Sequence, residues 1–264
     1  MMITMVVGDP HIEQNSSLHR FKILGSMIAD YQPDNIIIMG DYLSLDSLSG
    51  WDKNKRLNLE RKRFRKELDA GREAMELIMQ PIISFNDRQK RKKKGQYKPN
   101  LVILAGNHED RLDRYYQEDP TMKDIVDMYE EIGAHEYGWK VVGYRDYYRV
   151  GGVMFTHVPM NGVNKPISGN RVVDVALQTH QNSIVFGHTH QLRFGTDVRH
   201  GYPDHQVIYG LNCGWFGEEI PDYAKGSLGS KGWWSGIVLL NHLDCDGKFD
   251  FMTKSFKEMC DEYS

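Results

Sequence analysis

The sequence predicts an α/β fold in which short buried strands alternate with amphipathic helices. Residues 3–7 and 35–39 are continuous apolar runs of the length and composition typical of strands buried on both faces. Between them, residues 18–31 carry apolar side chains at the spacing of one helix face. A strand, a helix and a second strand in this order favour parallel pairing through a right-handed crossover.

The rest of the chain continues this alternation. Residues 51–83 have an apolar stripe at helical spacing, and lysine and arginine cover the remaining surface. Further strands are predicted at 101–105, 153–156, 184–186 and 206–211. Residues 237–241 and 249–254 predict a hairpin with Asp246 and Gly247 in its turn. Since no repeat or linker interrupts the 264 residues, we expect a single domain with a basic helical insertion at about 51–99.

The composition is that of an ordinary globular protein, with 40% hydrophobic and 26% charged residues. No apolar run approaches the roughly 20 residues needed to cross a bilayer, so no membrane partner is expected. The first residues lack the basic region of a signal peptide. Three cysteines without a CxxC pair indicate neither a disulfide framework nor a thiolate zinc site. We therefore expect a cytoplasmic protein.

The net charge of −3 hides an uneven distribution. Residues 51–99 contain 16 Lys/Arg and 7 Asp/Glu, whereas the remaining residues contain 17 and 29. Six of the seven residues from 88 to 94 are cationic. This basic segment favours a polyanionic partner such as DNA or RNA. The alternative is a solvated helix face with a lysine-rich loop that keeps the protein soluble.

Polar residues follow five of the predicted strands at the points where these strands end. They are Asp9, His11, Asp41, Asn107, His108, His157, His188 and His190. Taken singly, each aspartate or asparagine could be a helix cap or turn residue, and each histidine a solvated loop residue. Together, oxygen and imidazole donors without a thiolate suit Mn²⁺, Fe²⁺ or Zn²⁺ better than Ca²⁺ or Mg²⁺. Their number exceeds what one ion takes and fits two ions that share a carboxylate.

Five sequence blocks resemble, in order, the signature of the calcineurin-like metallophosphoesterases. They are Asp9-Pro-His11, Gly40-Asp41, Gly106-Asn-His-Glu109, His157 and Gly187-His-Thr-His190. The resemblance covers about residues 3–215, and the long insertion is similar to that of members encoded by bacteriophages, which would place the protein in the host cytoplasm. It implies an αββα sandwich, with two mixed β-sheets packed face to face, helices outside and metals along one edge.

The resemblance also implies a role for each residue of these blocks. Asp9, His11 and His190 would bind one divalent ion, Asn107, His157 and His188 the second, and Asp41 would bridge them. The expected ion is Mn²⁺, with Fe²⁺, Zn²⁺ and Ni²⁺ as alternatives. A water or hydroxide that bridges the metals would attack the phosphate in line, and His108 would assist the leaving group.

Two departures from the pattern of the calcineurin branch argue against a Ser/Thr protein phosphatase. Ser44 stands where that branch has the aspartate that orients the catalytic histidine, and Ala105 stands where it has an arginine. The orientation of His108 is therefore not accounted for, and Asp46 is a candidate substitute. Glu109 is interpreted as a charge in the first turn of a helix.

The basic segment lies between Asp41 and Asn107 in the sequence, so we expect it to emerge on or near the side of the site, beside the strand ends. The favoured substrate is therefore a nucleic-acid or nucleotide phosphodiester, which would make the protein a nuclease or phosphodiesterase. A phosphomonoesterase acting on nucleotides or other small phosphates is the alternative. An inactive scaffold is disfavoured because no ligand of the signature is missing. Candidate substrate contacts, each of which could equally be a surface or helix-end residue, are Arg111, Lys165, Asn170 and Arg171. Oligomeric state is not predicted.

Overall fold

Two mixed β-sheets form the centre of the fold in the computed structural model, which describes residues 2–50, 62–123, 126–199, 201, 206–220, 224–226 and 230–263. The strands are β1 (Met2–Val7), β2 (Asn35–Ile38), β3 (Asn100–Leu104), β4 (Lys140–Val142), β5 (Tyr148–Val150), β6 (Val153–Thr156), β7 (Ile184–Phe186), β8 (Leu192–Val198), β9 (Val207–Cys213), β10 (Gly236–His242) and β11 (Phe249–Ser255). The helices are α1 (His19–Tyr31), α2 (Phe64–Arg91), α3 (Asp110–Glu118), α4 (Met128–Glu131), α5 (Val172–His180) and α6 (Phe256–Tyr263).

The first sheet has six strands in the order β11-β10-β1-β2-β3-β4. Strands β1 to β4 are parallel, and the predicted hairpin of β10 and β11 joins β1 in antiparallel fashion. Val7 pairs with Ile38 and Ile38 with Ile103. Because of this register, β1, β2 and β3 deliver the residues that follow them to the same edge.

The second sheet has five strands in the order β5-β6-β7-β9-β8. Its three central strands, β6, β7 and β9, are parallel, and the two edge strands are antiparallel to their neighbours. The loops after β6 and β7 carry His157 and the His188–His190 turn.

Apolar side chains from both sheets meet in a shared interior. Val6, Ile37 and Val102 of the first sheet belong to one buried cluster with Phe155 and Leu211 of the second. Helices α1, α2 and α6 cover the outer face of the six-stranded sheet, and α5 covers the outer face of the five-stranded sheet. Full burial of each such side chain contributes about 1.5–3 kcal/mol. The αββα sandwich is therefore confirmed.

Helix α2 differs from the helix predicted at 51–83. It begins at Phe64 and continues past Pro81 to Arg91, whereas residues 51–61 lie outside the described part of the chain. The helix extends this far because Ile78, Met79 and Ile82 keep its apolar stripe buried on the body. Basic residues in its last turn also interact favourably with the helix dipole. The beginning of the lysine-rich run is thus helical and not a loop.

The two ends of α2 lie at opposite ends of the strands of the six-stranded sheet. Near its start, the Glu67 carboxylate accepts a 2.7 Å hydrogen bond from the backbone N–H of Asp46, beyond the end of β2. After its end, the Tyr97 hydroxyl donates to the carbonyl of Pro33, before the start of β2. A 28-residue helix is roughly 40 Å long. The expectation that the whole basic segment emerges beside the strand ends is therefore wrong for residues 88–94.

Within the part of the chain that the structure describes, no helix combines the length and the apolar character that a membrane span requires.

Candidate metal centre

The side chains predicted to bind metal meet at the carboxyl ends of five parallel strands. Asp9 follows β1, Asp41 follows β2, Asn107 follows β3, His157 follows β6, and the His188–His190 turn follows β7. Ligand sites of layered α/β folds lie at such strand ends. The residues therefore come together although up to about 180 residues of chain separate them.

The first potential metal-binding group consists of Asp9, His11 and His190, all three buried. The Nε2 atoms of His11 and His190 are 3.0 Å apart, and the Nε2 of His190 is 3.2 Å from Oδ2 of Asp9. Burial lowers the pKa of His11 well below its usual value. His11 is therefore neutral near pH 7, and a neutral imidazole is the form that binds a metal ion.

The second potential group consists of Asp41, His157 and His188. The Nε2 of His157 is 3.4 Å from Oδ2 of Asp41 and 3.0 Å from Oδ1 of Asn107. The Nδ1 of the same ring lies 2.9 Å from the carbonyl oxygen of Met39, to which it donates its proton. This hydrogen bond leaves Nε2 as the nitrogen directed to the site. Burial alone would lower the pKa of His157, but the carboxylates of Asp41 and Asp9 outweigh it and raise that pKa, so a metal ion that binds Nε2 competes with a proton. Burial lowers the pKa of His188 to about 4, so that ring is neutral near pH 7.

The carboxylate of Asp41 lies between the two groups. Its Oδ2 is 3.7 Å from Nε2 of His11 in the first group and 3.4 Å from Nε2 of His157 in the second. Its Oδ1 accepts a 2.9 Å hydrogen bond from the backbone N–H of His108, which fixes the orientation of the carboxylate. A carboxylate in this position can serve two metal ions at once.

The backbone of these loops is unusual. His11, Asp41, His188 and His190 have φ angles of 45°, 47°, 67° and 58°, in the left-handed region that residues other than glycine adopt uncommonly. Two glycines allow the loops to approach one another. A Cβ atom at Gly106 would collide with Asp41, and one at Gly187 would collide with Asp9. The glycines of the Gly40-Asp41, Gly-Asn-His and Gly-His-Thr-His blocks thus belong to the turns that aim the polar side chains.

The donor set fits a divalent cation. Among the described residues, Oδ1 of Asp9 is buried without any hydrogen-bond partner, and the Nε2 atoms of His11 and His190 face each other. Buried polar atoms are normally satisfied, and a cation between these oxygen and nitrogen atoms would satisfy them. Imidazole and carboxylate ligands without a thiolate suit first-row transition metals.

His108 is held by a backbone carbonyl and not by a carboxylate. Its Nδ1 lies 2.6 Å from the carbonyl oxygen of Ser44, which accepts the Nδ1 proton. A carbonyl of residue 44 thus does what the missing aspartate side chain would do. Asp46, the candidate substitute, does not contact the ring. Its Oδ1 lies 3.3 Å from Nη1 of Arg111.

Arg111 is the candidate substrate contact that the structure brings to the site. Its Nη1 donates to the Ser44 carbonyl at 2.8 Å, and its Nη2 lies 3.3 Å from Nε2 of His108. His108 also lies within reach of His11 and Asp41 in a third potential metal group. A cation bound there would lie close to the guanidinium of Arg111, so electrostatic repulsion disfavours His108 as a ligand.

Glu109 has a different role from the one expected. It is buried, and its carboxylate accepts hydrogen bonds from the backbone N–H groups of Asp41 at 2.9 Å, Leu43 at 3.0 Å and Gly106 at 2.7 Å. It therefore ties the turn after β2 to the turn after β3. Burial, with the neighbouring Asp41 charge, raises the pKa of Glu109 to about 7. Glu109 is thus the residue before the first turn of α3, and its carboxylate serves the two loops and not, as the interpretation of a first-turn charge had it, the helix.

The other candidate substrate contacts are exposed and bond elsewhere. The backbone N–H of Lys165 donates to the Asn161 side chain, the carbonyl of Asn170 accepts from Arg193, and Arg171 faces Asp174 at 3.4 Å. Within the described residues, no hydrogen bond joins these three to the ligand set.

Two tryptophans that the sequence did not single out flank the first group. The His190 ring stacks on Trp215 with an interplanar angle of 25°, and Trp233 meets it edge-on at a centroid distance of 4.2 Å. Both come from the segment between β9 and β10. They limit the rotation of His190, but an aromatic residue in a loop gives no sequence signal of such a role.

Comparison with known proteins agrees with this geometry. The chain matches the sequence model of the calcineurin-like phosphoesterases over residues 2–192, and it belongs to that family. It is thus a hydrolase, a metal-dependent phosphoesterase, and membership implies divalent metal ions.

Two bacteriophage proteins are similar to the chain over most of its length. The gene 54 proteins of Mycobacterium phages D29 and L5 are 24% and 23% identical to it, and each alignment covers 89% of this chain and 87% of the phage protein. Among solved structures, the E. coli phosphoesterase Yfce aligns over 97% of this chain and 100% of its own, with 14% identity and a TM-score of 0.39.

Proposed function

We propose that the protein is a dinuclear-metal phosphodiesterase whose favoured substrate is a nucleic-acid or nucleotide phosphodiester. The observation that carries the dinuclear part is the position of Asp41, whose Oδ2 lies within 3.7 Å of ligand nitrogens from both groups. One ion would be held by Asp9, His11 and His190, the other by Asn107, His157 and His188, with Asp41 shared. Mn²⁺ is the expected ion, and Fe²⁺, Zn²⁺ and Ni²⁺ are the alternatives.

When bound, the two cations would neutralise phosphoryl oxygens and lower the pKa of a water between them toward about 7. The chain's own residues position the substrate and assist the leaving group. Asp41 and the His157 ring are oriented by hydrogen bonds to the backbone, so they need little rearrangement as the substrate arrives.

His108 is the proposed catalytic residue. Its Nδ1 proton is engaged by the Ser44 carbonyl, which leaves Nε2 directed to the site. After taking a second proton at Nε2, an imidazole in this orientation can donate a hydrogen bond to a phosphate oxygen or protonate the leaving alkoxide. Arg111, held by the Ser44 carbonyl, places its guanidinium beside that nitrogen and adds positive charge where negative charge develops.

The substrate proposal is supported by the basic segment and by its distance from the site. Helix α2, roughly 40 Å long, separates residues 88–94 from the carboxyl ends of the strands. A small ester cannot reach both places, whereas a polynucleotide of about 12 nucleotides can, at roughly 3.4 Å per nucleotide. The basic segment therefore favours a polymer, and host-cytoplasmic DNA or RNA is consistent with the two phage relatives.

A metal-reconstituted substrate screen tests this proposal. The protein, stripped with chelator and reloaded with Mn²⁺, is offered single- and double-stranded DNA, RNA, cyclic nucleotides, nucleoside monophosphates, bis-p-nitrophenyl phosphate and p-nitrophenyl phosphate. We expect metal-dependent hydrolysis of the diester, and cleavage of a nucleic acid that weakens as salt rises. Hydrolysis of monoesters alone would establish the alternative, a phosphomonoesterase acting on nucleotides or other small phosphates.

A further inference from the structure

The turn that supports His108 has a backbone conformation that depends on other contacts. The carbonyl oxygen of Ser44 accepts the Nδ1 proton of His108 at 2.6 Å, and the next residue, Leu45, has a φ angle of 46°. Residues other than glycine adopt this left-handed region uncommonly. If Leu45 returned to a more favourable region, the peptide planes on its two sides would rotate relative to each other, and the Ser44 carbonyl would turn away from His108. The direction of this carbonyl therefore depends on what holds the residues before and after Leu45.

The two sides of Leu45 are held by different parts of the chain. On one side, the backbone N–H of Ser44 donates to the carbonyl of Ile12 at 2.9 Å, which fixes the start of the turn to the loop after β1. On the other side begins a short 3-10 turn, Asp46–Leu48. The first N–H groups of a helical turn have no partner within it, so they need an acceptor from elsewhere.

Glu67 of helix α2 provides that acceptor. Its carboxylate accepts hydrogen bonds from the backbone N–H of Asp46 at 2.7 Å, from the backbone N–H of Ser47 at 3.4 Å and from the Ser47 hydroxyl. Glu67 is only 2% exposed. A buried carboxylate with three donors from one turn holds that turn firmly, because leaving any of these groups unpaired is costly.

Helix α2 itself is fixed at the level of Glu67. One helical turn further on, the carbonyl of Gly71 accepts a 2.8 Å hydrogen bond from the Tyr42 hydroxyl. A Cβ atom at Gly71 would meet the Leu43 side chain at 2.6 Å, so the helix packs directly on the loop after β2. The position of the Glu67 carboxylate is therefore set by the body of the fold.

The side chain of Asp46 adds a second connection between the insertion and the site. Its Oδ2 lies 2.7 Å from Nζ of Lys62, just before α2, and its Oδ1 lies 3.3 Å from Nη1 of Arg111. Arg111 in turn donates to the Ser44 carbonyl at 2.8 Å. The turn after β2 thus lies between residues of the insertion on one side and Arg111 on the other.

We propose that Glu67 is a positioning residue for His108, so that the insertion is part of the active site and not only a surface that attracts polyanions. Glu67 holds the N–H groups of Asp46 and Ser47, and this keeps the Ser44 carbonyl directed at Nδ1 of His108. The insertion supplies through the backbone the support that an aspartate side chain at position 44 would supply directly. The inference rests on the proposed function, because His108 is the residue that assists the leaving group.

Two diesters with different leaving groups test the proposal, methyl phenyl phosphate and methyl p-nitrophenyl phosphate. Phenoxide is the more basic leaving group, so its departure depends more on a correctly directed acid, which contributes roughly 10²- to 10⁴-fold to such reactions. With Mn²⁺-loaded protein, Glu67→Ala should lower kcat by about 30-fold for the phenyl ester and by about three-fold for the p-nitrophenyl ester. KM and Mn²⁺ affinity should change by less than about two-fold. A loss of folded protein would lower both kcat values equally.

Nuclear magnetic resonance of the metal-free protein provides a readout that does not depend on activity. In protein with ¹⁵N-labelled histidine, the Nδ1 proton of His108 should give a downfield signal that exchanges slowly with water, assigned by its loss in His108→Gln. This signal should broaden or disappear in Glu67→Ala. The Nδ1 proton of His157, which is donated to the Met39 carbonyl, serves as the internal reference and should be unchanged.

Three further variants complete the test. Glu67→Gln keeps an oxygen that can accept from Asp46 and gains an N–H that can donate to the Ser47 hydroxyl, so it should restore both kcat values to within about three-fold of the wild type. Glu67→Asp retains the charge but withdraws the carboxylate by one methylene, so it should show the selective loss even if Glu67→Ala does not fold. Glu73→Ala, exposed on the same helix, is the matched control and should behave like the wild type.

The proposal is overturned if both esters lose the same factor in Glu67→Ala and Glu67→Asp, or if the His108 signal is unchanged in the variants that fold. Failure of the proposed function has a different signature, because then neither ester is hydrolysed by the wild type with any of the four metals. In that case the His108 signal still decides whether Glu67 orients the ring.

Discussion

Charged residues at the two ends of the parallel strands of the six-stranded sheet differ in their exposure. At the carboxyl ends of the strands, Asp9, Asp41 and His157 are almost completely buried, and each is oriented by a neighbouring loop. At the opposite ends, the lysines of residues 90–94 are largely exposed at the end of α2. The first arrangement can hold an ion in a fixed geometry, whereas the second can attract a polyanion without specifying its geometry. Catalysis and polymer binding should therefore be separable by mutation.

The largest effect is expected for Asp41→Asn. The amide keeps the shape of the side chain but removes the charge between the two ligand groups, and kcat/KM for bis-p-nitrophenyl phosphate should fall by about 10³-fold. The assay is a Mn²⁺ titration at constant protein concentration, with Asp250→Asn, on the exposed face of β11, as the matched control. Activity equal to that of the control would show that no metal ion depends on this carboxylate.

A smaller loss is expected for Arg111→Lys. Lysine keeps the charge but cannot bond to the Ser44 carbonyl and approach His108 at the same time. We expect kcat for the same diester to fall by about 10- to 100-fold with little change in Mn²⁺ affinity. Arg149→Lys, at an exposed position of β5, provides the comparison. If both variants behave like the wild type, Arg111 has no part in the reaction.

Glu109→Gln is expected to act through the loops. The glutamine side chain keeps one acceptor oxygen, but its amide nitrogen cannot accept, so at least one of the three N–H donors that the carboxylate serves loses its partner. This should cost about 1–3 kcal/mol of stability. Because Glu109 orients the turns that carry the metal ligands, the substitution should also weaken metal binding by roughly 10-fold. Thermal unfolding and Mn²⁺ titration measure the two effects, with the exposed Glu130→Gln as control. Unchanged values in both measurements would contradict the role of Glu109 as a tie between the turns.

The smallest effect on chemistry is expected from the far edge. Replacing Lys90, Lys92, Lys93 and Lys94 by glutamine should change the rate of hydrolysis of bis-p-nitrophenyl phosphate by less than about two-fold. Salt screens the electrostatic interaction between these exposed charges and the site over such a distance. Binding of DNA or RNA should weaken, and the magnitude of the slope of log K against log salt should decrease by up to about 3.6. The control replaces four scattered, exposed lysines, Lys123, Lys231, Lys248 and Lys257. An equal loss of nucleic-acid affinity in both quadruple variants would show that the basic segment is only a solvated surface.

The parts of the fold that could be predicted from the sequence are those whose signal is local. Strands β2 and β3 are buried on both faces and therefore appear as apolar runs. Strand β8, Leu192–Val198, was not predicted because it lies at a sheet edge, and none of its residues is fully buried. Strand β4 has only three residues, too few for a periodicity.

The same distinction between local and long-range signals applies to the residues of the site. The ligand residues were predictable because each stands directly after a strand in a recognisable block. The support of His108 was not, because a backbone carbonyl such as that of Ser44 can come from any residue type. Glu109 was misinterpreted because two of its three partners lie 66 and 68 residues away in sequence.

The left-handed turns at His11, Asp41, His188 and His190 bear on how this centre could be lost or transplanted. Each of these residues is less stable in its conformation than glycine would be, by about 1–2 kcal/mol. In a descendant that no longer needed hydrolysis, glycine at His11, His188 or His190 would relieve this backbone conformation, so selection for folding alone would not retain these ligands. Conversely, a designer who copies the side chains onto helices or regular strands would not reproduce the centre. The turns have to be transferred with them.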